Sequence, residues 1–406
     1  MNSEKIYSIL LYTIAGDALG TPLDGLSKGH IASVLKEING YADPLPALKG
    51  KTEKWKKPGL YSCVSQLIVL FSMVSLSGHF SVKKYMETVA LSPEFSDTGL
   101  GIFRYPESAV KNFIQNCFTG MSAPVTVLPS QSLPLLVLHL GLFSETRSQA
   151  ILNSCELAKH ISSDVASIAG AALYAAFIWD FMSQKTDSFS DLTFAAGQSA
   201  AESASFFRNE SSAVFATGLN PDSLASAAAL YAEAFTGSES RLLNIINSCL
   251  KTPASRLTVP HPLALIPYAV RLSGTNGGDL FKIAQEGGSV AALTALAGSF
   301  IALTRSVDEL PSALVDGLVN RKRLLSVIES ISKGSVSNRL IGEFIESELQ
   351  LTAKAFEELK ARNKNKEPKK KTKTGKTELP HTVEAWTKLD KAKWKKEKRR
   401  LDGKNQ

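Results

Sequence analysis

An all-α fold is predicted by three features: apolar residues recur at helical spacing along most of the chain, several of those stretches are dense in alanine, and strand-like alternation is scarce. The best alternating run, Pro124-Val-Thr-Val-Leu-Pro129, is short. Small side chains, as in Ala166-Ser-Ile-Ala-Gly-Ala-Ala-Leu-Tyr-Ala-Ala176, let helices approach closely, which places such segments in the middle of a packed multi-helix assembly.

Taken in order, Tyr7, Leu10, Leu11 and Ile14 form a stripe leading into Gly16-Asp17-Ala18-Leu19-Gly20. Asp17 is expected at a helix-to-loop transition there, as a turn or cap residue. Val64 to Leu76 carries Leu67, Leu70, Phe71 and Val74 at helical spacing. Glu107 to Phe118, Gln149 to Ala158, Val165 to Met182 and Ala195 to Phe207 read as further helices. So do Asp222 to Phe235, Glu239 to Cys249, Pro262 to Leu272 and Val290 to Leu303. Two more follow between Asn320 and Arg362, the second running from Ile341 to Ala361 with Phe344, Ile345, Leu349, Ala353 and Phe356 apolar. Gly, Pro, Ser and Asn fill the connections, as loops between helices require.

The formal charge of +8 is unevenly placed. Residues 361–406 hold 17 Lys/Arg against 6 Asp/Glu, a net of +11, whereas the first 360 hold 29 against 32, a net of −3. The expected division is therefore an all-helical domain over 1–362, a disordered basic linker over 363–380 with almost nothing to bury, and a basic tail over 381–406. In that tail Val383, Trp386, Leu389 and Trp394 interleave with lysines, the pattern of a short amphipathic helix. The lysine runs would track nucleic-acid phosphates or an acidic protein surface, or would only keep the tail soluble.

Cys63, Cys117, Cys155 and Cys249 stand singly, which argues against structural zinc and iron–sulfur centres and fits a reducing compartment. The start, Met1-Asn-Ser-Glu-Lys5, has no secretory pattern, and no run reaches the roughly 18 uninterrupted apolar residues of a membrane span. The longest apolar stretch, Ile168 to Trp179, reads as a buried helix, and the protein is expected to be cytoplasmic.

Five segments carry more specific information. They are Ala15-Gly-Asp-Ala-Leu-Gly-Thr-Pro-Leu-Asp24, Pro58-Gly-Leu-Tyr-Ser-Cys-Val-Ser-Gln66, and Gly99-Leu-Gly-Ile-Phe-Arg-Tyr-Pro106. Lys159-His160 with Ile168-Ala-Gly-Ala-Ala172 is the fourth, and Gly287-Gly-Ser-Val-Ala-Ala-Leu-Thr-Ala-Leu-Ala-Gly298 the fifth. Their order and spacing resemble the ADP-ribosylglycohydrolase family, which includes the dinitrogenase-reductase-activating glycohydrolases and the J1 crystallins. The resemblance runs over roughly residues 7 to 335. It implies an all-α scaffold on which two Mg²⁺ ions assist cleavage of the N- or O-glycosidic bond joining ADP-ribose to a protein side chain.

The departures from that pattern are systematic. The family's two aspartates in the second motif fall on Cys63 and Val64, with Ser62 and Ser65 at the flanking threonine positions. In the fifth motif its aspartates fall on Ser289 and Ala291, and its threonine on Ala292. Two adjacent divalent cations repel each other and need several anionic oxygen ligands. Serine hydroxyls are neutral, and a cysteine thiol is a soft ligand that Mg²⁺ does not favour. The family's two Mg²⁺ ions are therefore expected to be absent, and the chain is expected to be a catalytically inactive relative with a binding or structural role.

The remnant cleft implied by the resemblance comprises Asp17, Asp24, Ser62, Cys63, Ser65, Arg104, His160, Gly287, Gly288 and Ser289. Asp24 stands where the family usually has a glutamate and reads either as a cleft acid or as an Asp-Gly turn residue. With His160 it is the candidate acid or base if a divergent glycosidic hydrolase survives. His160 reads more plainly as a histidine packed at a helix start, and Arg104 as an anion ligand or a loop anchor. Cys63, at a helix start but without a base near it in sequence, fits a space-filling residue better than a nucleophile. Gly287 and Gly288 allow close backbone approach and would cradle a phosphate of an ADP-ribose-like ligand with exposed N–H groups. The cleft enclosed by Asp24, Cys63, Arg104, His160 and Ser289 is expected to be partly filled by apolar side chains, Val64 among them.

Overall fold

The first helix, α1 (Ser3–Gly20), starts where the Asn2 side chain accepts the Lys5 N–H at 3.1 Å, satisfying a first-turn donor. It runs straight through Asp17, so that residue lies inside the helix and not at a transition to a loop. The reason is its partner, α15 (Val290–Thr304), against which α1 makes the most extensive helix contact of the molecule. A Cβ on Gly16 would stand 2.2 Å from the Thr294 carbonyl oxygen, and one on Gly298 would stand 2.4 Å from that of Tyr12. The Thr294 hydroxyl donates to the Gly16 carbonyl at 2.6 Å. Glycine on both helices thus brings backbone onto backbone, and the helix continues because its neighbour supports it.

The computed structural model describes residues 2–92, 99–120, 129–183, 192–237, 262–275 and 279–364. After α1 come α2 (Lys28–Val34), α3 (Cys63–Leu76), α4 (Val82–Ala90) and α5 (Ser108–Thr119). Then follow α6 (Leu133–Leu136), α7 (Leu138–Phe143), α8 (Arg147–Ala158), α9 (Val165–Ser183) and α10 (Leu192–Asn209). The series continues with α11 (Ser211–Ala216), α12 (Pro221–Thr236), α13 (Pro262–Thr275), α14 (Leu280–Ala284) and α15. It closes with α16 (Ser312–Asp316), α17 (Arg321–Ser332) and α18 (Asn338–Lys364). Among the described residues there is no strand, only an isolated antiparallel bridge between Ser27 and Gly287. The helix expected over Glu239–Cys249, nearly all of the run Pro124–Pro129, and the basic linker and tail beyond Lys364 lie outside the described residues.

The alanine-rich helix α9 is the hub, packed by α6, α7, α8, α10, α12 and α13. Both α9 and Ser3–Leu23 are long and apolar enough to cross a membrane, but 72% and 94% of their most apolar windows are buried inside the protein. Their apolar surface is covered by other helices, as in the core of a globular domain. The short helices α2, α6, α7, α11, α14 and α16 were not legible as periodic segments, because each spans at most two turns.

One core residue is expected to make the fold lose stability toward acid. His139 of α7 is fully buried, and burial pushes its pKa down to about 3 from an ordinary 6.5. Below about pH 6.5 the unfolded chain takes up a proton that the folded protein refuses, so this contribution to stability is lost as pH falls from 6.5 toward 3. Urea denaturation across that range is expected to show the loss, and His139→Phe is expected to flatten it.

Candidate functional site: a serine-lined cleft at two helix starts

The N-terminal ends of α3 and α15 converge on a cleft of about 360 Å³. Its floor and walls include Asp17, Thr21, Asp24, Ser62, Val64, Ser289, Ala291 and Ala292. Lys56, Tyr105 and Glu107 line it as well. Two helices present their starts to one space, so the backbone dipoles add partial positive charge to a cleft whose lining also holds the carboxyl groups of Asp17, Asp24 and Glu107.

Asp17 meets this polarity at α3. Its Oδ2 accepts from the Ser62 N–H at 2.8 Å, the Ser62 hydroxyl at 3.0 Å and the Ser65 hydroxyl at 2.6 Å. Its Oδ1 accepts from the Thr21 hydroxyl at 3.0 Å. Ser62 also caps α3, its Oγ accepting the Val64 N–H at 3.1 Å. Burial pushes the Asp17 carboxyl above the usual carboxylate range, while the bonds from Ser65, Ser62 and Thr21 oppose it.

These bonds decide whether the family's dinuclear metal centre fits. A metal-binding carboxylate must leave lone pairs free toward the ion, and on Asp17 neutral donors of the protein itself fill Oδ2 and take one of the two sites on Oδ1. The opposite wall contributes Ser289, Ala291 and Ala292, none of them anionic. Among the described residues, no group of three or more His, Cys, Asp or Glu side chains stands where it would hold a metal ion. The donor set does not fit two divalent cations, and the serines instead meet Asp17 with hydrogen bonds from neutral hydroxyls.

At α15 the glycines serve a different end from the one expected. Gly287 and Gly288 have φ of +74° and +75°, in the left-handed region that glycine tolerates. The Gly288 N–H donates to the Leu26 carbonyl at 2.7 Å, and its carbonyl accepts the Gly25 N–H at 2.8 Å. A Cβ on Gly287 would stand 2.3 Å from the Lys28 nitrogen. The pair clamps the 25–28 loop to the start of α15, so the Gly288 N–H is committed and does not cradle a phosphate. Ser289, the N-cap, makes no side-chain cap bond and borders the cleft.

Of the sequence-derived residues, the structure brings Asp17, Asp24, Ser62, Gly288 and Ser289 onto the cleft wall, with Ser65 behind Asp17. Cys63, Arg104, His160 and Gly287 are not among the residues that line it. Cys63 is fully buried, its thiol pushed well above its usual value by desolvation and by the charge of Asp17, which leaves an inert space-filler. His160 follows α8 and lies 3.8 Å from Glu156 on that helix. Arg104 is an anchor, fully buried behind the cleft and paired with Glu348 of α18 at 2.6 Å.

Three positions at or behind the cleft escaped the sequence reading. Lys56 lies 3.4 Å from Asp24 and 5.5 Å from the centroid of the Tyr105 ring, placing a cation at the mouth. Glu107, the N-cap of α5, accepts from Ser130 and from the Gln131 and Ser132 N–H groups at 3.2 and 3.3 Å. Burial raises its pKa, and the charge of Asp24 adds to the rise. Glu348 accepts from Tyr61, from Gln66 at 2.8 Å and from Arg104, gathering the backs of the second and third motifs onto α18. Its signal was present: Phe344, Glu348 and Thr352 share one helix face by their spacing of four, and a carboxylate on a buried stripe requires partners.

The comparisons with known proteins agree with this architecture. Residues 2–342 match the family model described as ADP-ribosylglycohydrolase. A solved structure described as "ADP-ribosylglycohydrolase-related protein complex" aligns with a TM-score of 0.51 at 13% identity, covering 82% of this chain and 99% of that one. At that identity the likeness concerns the fold alone. No curated protein matches the chain. The family match spans the helices that build the cleft, and by it this chain belongs to the ADP-ribosylglycohydrolase family.

Proposed function

We propose that the cleft binds an ADP-ribose-like, phosphate-bearing ligand without metal and without hydrolysing it. The observation that carries this reading is the engagement of Asp17 by Ser62, Ser65 and Thr21, which fills Oδ2 and leaves one site on Oδ1, too little for a pair of metal ions. What remains at the cleft suits an anion: the start of α15, the unbonded Ser289 hydroxyl at its cap, and the Lys56 ammonium at the mouth.

Metal-free hydrolysis would need two differently tuned carboxylates. Asp24 is one, but it is held by Lys56, and Glu107 is occupied in fixing the 130–132 turn. That arrangement favours binding over turnover.

Calorimetric titration with ADP-ribose is expected to give equal affinity with and without Mg²⁺ or Mn²⁺. Lys56→Ala is expected to weaken it about tenfold, the loss of one charge-assisted bond of roughly 1.5 kcal/mol. Stoichiometric binding of two metal ions, or release of ADP-ribose from modified peptides, would refute the reading.

A further inference from the structure

The stretch that carries Lys56 to the mouth of the cleft is dense in lysine. Five of the nine residues 49–57 are lysine, against one glutamate, Glu53, although the first 360 residues have a net charge of −3.

Elsewhere on the surface lysines meet carboxylates: Lys28, Lys83, Lys159, Lys282 and Lys333 each lie 2.5–3.7 Å from an aspartate or glutamate oxygen. Lys56 and Lys57 do so as well, 3.4 Å from Asp24 and 2.5 Å from Glu358. Lys49, Lys51 and Lys54 are exposed, and among the described residues none has a carboxylate within 4.0 Å. Lys111, Arg208 and Lys322 lack one too, but they stand singly on α5, α10 and α17. Like charges gathered in one place repel, and an anionic partner relieves that repulsion.

The stretch is held in place. Two 3-10 turns, Leu45–Leu48 and Thr52–Lys54, shape it, and Thr52 and Trp55 are buried. The Trp55 indole N–H donates to Asp43 at 2.9 Å, and the Arg362 guanidinium of α18 lies over its ring, 4.1 Å from the centroid. Glu358, one turn earlier on α18, takes Lys57. A fixed backbone offers its lysines with only their rotamers left to order.

The chemistry of the stretch narrows the partner. Trp55 is its only apolar side chain and is buried, so nothing is left to insert into lipid. Residues 49–57 supply no α-helix or β-ribbon of the kind that enters a duplex groove, whereas a flexible single strand can bring successive phosphates to a short segment. Lys56 continues the row into a cleft proposed to hold a phosphate-bearing ligand, and the choice of phosphate over carboxylate rests on that reading.

We infer that residues 49–57 form a contact surface for the phosphodiester backbone of a single nucleic-acid strand, laid across Lys49, Lys51 and Lys54 beside the cleft mouth at Lys56. The contact is to backbone and therefore indifferent to base sequence.

The test measures binding of a short labelled oligothymidylate to the full chain by fluorescence anisotropy, between about 50 and 200 mM salt. Combining Lys49→Ser, Lys51→Ser and Lys54→Ser is expected to weaken binding about tenfold. The slope of log affinity against log salt should become shallower by about two, since each lost phosphate contact removes about 0.7. Combining Lys111→Ser, Arg208→Ser and Lys322→Ser removes the same charge from elsewhere and is expected to change affinity by less than about twofold. All six side chains are exposed, so both triple variants are expected to fold, and both keep the basic residues 365–406. Equal losses in the two triple variants, or a slope unmoved by the first, would overturn the proposal. So would polyglutamate or phosphatidylserine vesicles that compete as well as unlabelled oligothymidylate of equal charge. A loss confined to the first variant supports the surface even where calorimetry finds no ADP-ribose in the cleft, so the two readings are refuted by different results.

Discussion

Replacing Glu348 by alanine is expected to lower stability by about 3–5 kcal/mol, the range for a buried ion pair that loses one partner. Arg104 and Glu348 are both fully buried, and Glu348 also accepts from Tyr61 and Gln66. Removing the carboxylate strands the guanidinium, which keeps the Tyr61 carbonyl at 3.2 Å, Thr352 at 3.0 Å, a long bond of 3.5 Å to the backbone carbonyl of residue 348 and the face of the Tyr61 ring. Such a loss takes a large share of the total stability of an ordinary domain. Urea denaturation should show a lower midpoint with an unchanged slope. Arg104→Met combined with Glu348→Met is expected to recover much of the deficit, since an apolar pair has no desolvated charge to satisfy. A single-variant loss below about 1 kcal/mol would mean that water reaches the network and that α18 is not tied to the motif loops as described.

The second large effect concerns the contact of α1 with α15. Gly16→Ala places the best helix former in a helix, an intrinsic gain of about 1 kcal/mol. The added methyl would, however, stand 2.2 Å from a backbone carbonyl oxygen, and backbone cannot step aside as a flexible side chain does. Overpacking of that kind costs about 1–3 kcal/mol or more, and here it also threatens the Thr294–Gly16 bond. The clash is expected to win, with a net loss of about 2 kcal/mol. Gly342 is the matched control, exposed within α18 with nothing near its would-be Cβ. There the same substitution is expected to stabilise the protein by about 0.5–1 kcal/mol. Thermal and chemical unfolding of the two variants should move in opposite directions, and equal shifts would discard the close-approach explanation.

Helical periodicity was sufficient for α5, which buries one face through Ala109, Val110, Phe113, Ile114 and Cys117, whereas α3 and α9 are buried almost all round and were legible by their length and apolar content. It failed for α6 and α7, where Pro134 and a run of apolar residues carry no period that separates two short helices from a loop. The cleft was legible through the motifs at Gly16–Gly20, Ser62–Ser65 and Gly287–Ser289, whose residues meet at the two helix starts. Arg104 of the third motif and His160 of the fourth do not line the cleft, because motif spacing says nothing of the direction in which a side chain leaves its helix or loop.

The amino-acid sequence by itself determined that the chain is helical, that it follows the ADP-ribosylglycohydrolase pattern, and that both helix starts lack aspartate. These properties are local: a helix is written in its own period, and a missing carboxylate is missing wherever the chain folds. Only the tertiary structure decided what Asp17 does, since its four donors come from Thr21 on its own segment and from Ser62 and Ser65, more than forty residues away. It also decided that Glu348 anchors the back of the cleft. A polar side chain takes its role from whichever partner reaches it, and for these residues the partner is set by how distant helices pack.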